Sequence, residues 1–173
     1  PDAKYLYFMS DRYFKSVVRS PWGPYQPEPF FDRTTKIYVL PLSSEDNSPF
    51  LPDNEIVNKK SSDKDTENSD DKKDKKVVVK IDLKDIGKRV SEVPVDAGMY
   101  YGLSATDEYL FFMEREMILD GKRNLKVLEI KSEDIEVKTL IKDANDYELS
   151  YDGKKIMILK ENQVHVIDAG SSV

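Results

Sequence analysis

His165 is the only histidine in this 173-residue chain, so it is the only residue that could act as an imidazole base. It alternates with Val164 and Val166, which is a strand pattern, and no G-x-S-x-G turn accompanies it to present a nucleophile. Ser171 and Ser172 follow in what reads as a loose tail. A single histidine excludes an HExxH zinc site. The absence of cysteine excludes disulfides, thiol catalysis and thiolate-bound zinc.

Three acidic groupings invite a closer look. Asp63-Lys64-Asp65-Thr66-Glu67 has the opening of a calcium loop, but Asn68 stands where that loop requires glycine and no bidentate glutamate follows at the right distance. It reads as a solvated linker. Asp82, Asp85 and Asp96 could form a carboxylate pair, yet 35% of the chain is charged and chance proximity explains them as well. Asp152-Gly153-Lys154-Lys155 lacks the upstream glycine and the following Ser or Thr of a phosphate loop, so it is a hairpin turn. No catalytic, cofactor-binding or metal-ligating residue is therefore assigned, and no cofactor is expected.

The elements around these residues repeat. Tyr147–Leu159, YELSYDGKKIMIL, reads as strand, Asp-Gly turn, strand. Pro1–Met9 and Leu103–Met113 spell the same unit. Aligning Lys4, Glu108 and Lys154 brings Leu6, Leu110 and Ile156 into register, with Phe8, Phe112 and Ile158 two residues on. The later two copies lie 46 residues apart, about the length of a four-stranded propeller blade. The interval between the first two is longer because it holds two insertions. One is a Pro/aromatic stretch, 13–33, which reads as an ordered loop packed over its own domain rather than as a peptide-binding platform. The other is a polar stretch, 43–76, whose second half, Lys59–Lys76, cannot bury enough surface to offset chain entropy.

The expected fold is all-β: roughly three four-stranded blades of a β-propeller, forming a partial, open arc within a single unit spanning 1–173. Lys4–Met9, Tyr109–Met113 and Lys155–Leu159 are expected as equivalent second strands, buried because each is sandwiched between neighbouring blades. Lys36–Leu42 and Val77–Leu83 are expected as strands, with Arg89–Val95 pairing back after a turn at Asp85–Lys88. Asn124–Ile130 and Glu136–Ile141 read as a hairpin, Asp146–Ser150 opens the third copy, and Gln163–Ile167 follows it. A net charge of −6 argues against a nucleic-acid partner. No run of about eighteen apolar residues is present, so no membrane partner is expected. Cytoplasm and periplasm both remain open.

Two stretches resemble the tricorn protease family: Val79–Leu103, VKIDLKDIGKRVSEVPVDAGMYYGL, and Asp146–Gly170, DYELSYDGKKIMILKENQVHVIDAG. The first is similar to that family's I-D-L-x-x-I-x-x-R-V-x-x-x-P-V-x-A-G segment, the second to the last blade of its second propeller. Lys36–Leu42 and Pro49-Phe50-Leu51-Pro52 fit the same region, and Ala3 departs from the usual glycine. The resemblance implies the C-terminal arc of the second propeller of a large serine peptidase, cut from a longer protein. Such a segment is non-catalytic; it would help admit or filter peptide substrates and scaffold the assembly. The family's catalytic Ser, His and Glu would lie beyond Val173, so the chain alone is not expected to be an enzyme. Its partners would be the parent's other blades and domains, and peptide substrates through the parent enzyme. The isolated fragment is expected to self-associate.

Two alternatives stay open: a stand-alone TolB-like protein-binding propeller, and the propeller of a prolyl-oligopeptidase-like enzyme. The sequence following Val173 would separate the three readings.

Deleting Lys59–Lys76 and rejoining the ends with a short Gly/Ser turn should change unfolding free energy by less than about 1 kcal/mol, because loop length enters only logarithmically. Urea unfolding of the shortened chain measures this, and a loss of several kcal/mol would mark a packed element.

Overall fold

The computed structural model describes residues 3–15, 31–52, 79–117 and 121–172. Among these residues lie ten strands: β1 (Tyr5–Ser10), β2 (Lys36–Pro41), β3 (Ser91–Glu92), β4 (Tyr100–Ala105), β5 (Tyr109–Arg115), β6 (Arg123–Glu129), β7 (Val137–Ile141), β8 (Asp146–Leu149), β9 (Lys155–Lys160) and β10 (Gln163–Asp168). They form three antiparallel sheets, β1-β2-β3, β4-β5-β6-β7 and β8-β9-β10, each a simple meander. The molecule is a partial β-propeller of three blades, as the repeat implies. The second blade has four strands; the first and third have three each.

The period-2 alternation of each strand sends its side chains to the two faces of its blade, and the core forms where blades meet. Ile37, Val39, Phe50 and Val93 of the first blade pack on Leu110, Phe112 and Leu128 of the second. Phe111, Met113, Leu125 and Val127 of the second blade pack on Ala144, Ile156 and Ile158, which belong to the third blade and its approach. Leu110, Phe111, Phe112 and Met113 are consecutive and all fully buried, so β5 is sandwiched from both sides.

The three expected second strands differ in setting and in burial: β5 and β9 are paired on both sides, whereas β1 stands at the edge of its described sheet. Leu110/Phe112 and Ile156/Ile158 each face the preceding blade and are buried. Leu6 and Phe8 occupy the same register on β1 but have no preceding blade in this chain, and Leu6 is 50% exposed. The other face of β1 carries Tyr5, Tyr7 and Met9 into the first inter-blade core.

The expected strand Val77–Leu83 is corrected. Residues 77 and 78 lie outside the described set, and 79–83 are irregular, with Val79, Ile81 and Leu83 exposed. The outer edge of β2 is taken instead by β3, with Tyr38 opposite Glu92 and Val39 opposite Ser91, and Val93 N–H donates to the Ile37 carbonyl at 2.9 Å. Arg89 ends a 3-10 turn, Ile86–Arg89, and satisfies the displaced backbone. Its guanidinium donates to the carbonyls of Pro41 (3.1 Å), Leu42 (3.1 Å), Lys84 (2.9 Å) and Asp82. A planar fork with five donors can hold four carbonyls where no ladder exists.

Of the polar stretch, residues 43–52 are described, and Phe50 is buried in the first core. Residues 53–76, with the acidic run 63–67, lie outside the described set, as do 16–30 of the Pro/aromatic loop. At that loop's described ends, Tyr13 N–H donates to the Thr34 carbonyl at 3.0 Å and Phe14 meets Phe31 edge-on at 5.6 Å.

The second and third blades are also tied by a buried polar contact. Tyr147 of β8 reaches the carbonyl of Phe111 at 2.8 Å and that of Gly102 beside it. Gly102 has φ +60 and sits in the bulge of β4, a conformation that frees its carbonyl from the ladder. Burial pushes the Tyr147 phenol up to about 12, against hydrogen bonds from Ser104 that pull the other way. Tyr100 is pushed up to about 12 as well, chiefly by burial against Phe112 at the first interface.

Tyr147→Phe should cost about 1–2 kcal/mol, since buried carbonyls lose their donor. In both tyrosines the folded state keeps a proton that the unfolded chain releases near pH 10, so stability should fall as pH rises from 10 to 12. Urea midpoints across that range should fall less steeply for Tyr147→Phe than for wild type.

Candidate functional site

The residues singled out for chemistry do not converge. His165 lies exposed on β10, opposite Ile158. Asp82 accepts hydrogen bonds from the backbone and hydroxyl of Ser44, both at 2.9 Å, and these hold its carboxyl below the usual range. Asp85 pairs with Lys88 at 2.9 Å, and the Asp96 carbonyl accepts the Tyr100 hydroxyl at 2.9 Å. The Asp82 and Asp85 carboxylates are thus held by different partners, and Asp96 contributes a backbone carbonyl. Asp152 organises its turn by accepting from the Ser150 hydroxyl (2.7 Å) and Lys154 N–H (3.1 Å), while Gly153 supplies the required φ of +68. Among the described residues, no group of three or more His, Cys, Asp or Glu could hold a metal. No helix among them is long and apolar enough to cross a membrane.

The antiparallel meander assembles something the linear pattern hides. The end of β1, the start of β2, the start of β4, the end of β5 and the start of β6 all reach the same rim of the arc. There the first two blades splay into an open cleft of about 820 Å³. It is lined by Met9, Asp11, Thr34, Thr35, Met99, Tyr100, Tyr101, Arg115 and Arg123. The rim is closed below by the Thr35–Gly98 bridge, whose two N–H groups donate across it at 3.0 Å each. Gly98 is required here: a Cβ would stand 2.5 Å from the Tyr100 ring.

Arg115 and Arg123 are direct cross-strand partners where β5 and β6 end and begin. The nearby carboxylates are engaged elsewhere: Glu114 pairs with Lys126 at 3.0 Å, and Glu116 accepts from the Asn124 amide at 2.9 Å. Among the described residues no carboxylate stands within ion-pair distance of either guanidinium. Burial raises the phenol of neighbouring Tyr101 above its ordinary value, while the Arg123 and Arg115 charges pull it down. The cleft is therefore lined by two cations, two phenol rings, two thioethers and one carboxylate, with two threonines beside them. The sequence reading missed it. Its signal was the arginine that closes the apolar run YLFFMER and the arginine that opens RNLKVLE, which become a pair only once the hairpin register is known.

No protein-family model and no curated protein matches the chain. A solved structure does: the crystal structure of the tricorn protease, at a TM-score of 0.66 and 19% identity. The similarity covers 96% of this chain and 15% of that one, so this chain spans a small part of that protein's length. At this identity the likeness is one of fold, and it extends across all three blades.

The purified chain should hydrolyse no peptide, because acyl transfer needs a nucleophile, a positioned base and an oxyanion site together. Fluorogenic peptides incubated with it should match buffer. Turnover that disappears in His165→Ala would overturn this.

Proposed function

We propose that this chain is a non-catalytic propeller segment of a tricorn-like serine peptidase, in which it helps admit or filter peptide substrates and scaffolds the assembly. The observation that carries the reading is a fold likeness to the tricorn protease that runs through nearly the whole chain. The sequence resemblance of Val79–Leu103 and Asp146–Gly170 to that family supports it independently of the fold.

The two end faces support the same reading. On the third blade Met157, Leu159, Val164 and Val166 share one face and are 39–64% exposed. The corresponding face of the second blade, with Phe111, Met113, Leu125 and Val127, is covered by the blade that follows it. On the first blade Leu6 and Phe8 present the face that the second and third blades bury against a preceding one. Each end of the arc therefore offers half of an inter-blade joint, and further blades are the partners of fitting shape.

The reading frame on either side of this chain tests the assignment. Propeller sequence upstream, with a PDZ domain and a tail-specific-protease-like region downstream, is the expected result. An α/β-hydrolase region or an immediate stop would replace it with one of the alternatives. The chain on its own should associate with increasing concentration in sedimentation velocity, and Val166→Lys should weaken that association. A persistent monomer would count against two open blade faces.

A further inference from the structure

We propose that the cleft between the first two blades is a carboxylate subsite, in which Arg115 and Arg123 hold an acidic side chain of a peptide. This deepens the peptide-handling reading and rests on it for the class of ligand.

Arg115 and Arg123 form an apparent defect in the second blade. Like charges directly opposite on neighbouring strands repel, and a chain evolving for stability alone has no reason to set two arginines there. The pair is tolerable if an anion completes it, and among the described residues no side chain does. Guanidinium forks are suited to planar carboxylates, which they bind through paired N–H donors. Beside them, Tyr100, Tyr101, Met9 and Met99 offer rings and thioethers to the apolar part of a ligand.

Asp11 lines the same cleft and narrows the choice. It disfavours a dianion or a polyanion and leaves room for one negative charge with neutral or cationic neighbours. The overall charge of −6 acts in the same direction against phosphate-rich polymers. A single glutamate or aspartate within an otherwise uncharged peptide meets all of these conditions.

The test is calorimetric titration of the 173-residue chain with two blocked peptides, one holding a central Tyr-Glu pair and the other Tyr-Gln. The Glu peptide should bind about tenfold more tightly or better, and less so as salt is raised. In the double variant Arg115→Gln/Arg123→Gln the difference should vanish, while Lys160→Gln, on the third blade, should leave it intact. The double variant should unfold at the same temperature as wild type or higher, since repulsion has been removed; this separates loss of a site from loss of fold. Equal binding of both peptides would overturn the carboxylate subsite and leave peptide handling standing. Binding of neither would overturn both. Discrimination that survives the double variant would place the site elsewhere and so overturn this assignment. Inorganic phosphate binding more tightly than the Glu peptide, and only with both arginines present, would overturn the choice of carboxylate.

Discussion

Everything in this arc depends on β5 being buried on both sides. Four consecutive side chains, Leu110 to Met113, have no exposed surface, because odd positions enter one inter-blade core and even positions the other. Truncating either phenylalanine would forfeit about 3–5 kcal/mol, and each loss would fall on a different joint. The strand thus couples the first blade to the third although the two share no core cluster. A blade held in this way has little freedom to rotate, so the rim between blades is shaped by the cores beneath it.

Polar groups are handled at the margins of those cores. Where the ladder of the first blade runs out, Arg89 collects carbonyls that no strand reaches. Where the second blade bulges, Tyr147 crosses from the third to meet a freed carbonyl. Both solutions satisfy backbone acceptors without extending the sheet, and both stitch segments that are distant in sequence. The Ser150–Lys155 turn and the Thr106 turn do the converse locally, satisfying backbone donors with side-chain oxygens that accept their N–H groups.

The cleft is a by-product of this arrangement. Splayed blade ends leave space at the rim, and whatever residues close each strand line it. On β5 and β6 those are arginines; on β4 they are tyrosines. The apolar middles of β5 and β6 make the joints, while the arginine at the cleft end of each lines the rim.

The sequence by itself determined the period, the blade count and most of the strands. Alternating apolar residues and Asp-Gly-type turns are local, and a repeated unit that cannot bury its own faces must stack. Tertiary structure decided which apolar residues are buried: Leu6, Leu110 and Ile156 are the same letter in the repeat, but burial is set by the presence of a neighbour. It decided against a strand at 79–83, because the edge of β2 can pair with only one segment and β3 holds it. It also decided the cleft, since Arg115, Arg123, Tyr100 and Met9 lie on four strands of two blades. No local pattern records which strand ends will share a rim; only the antiparallel register and the packing of blade on blade bring them together.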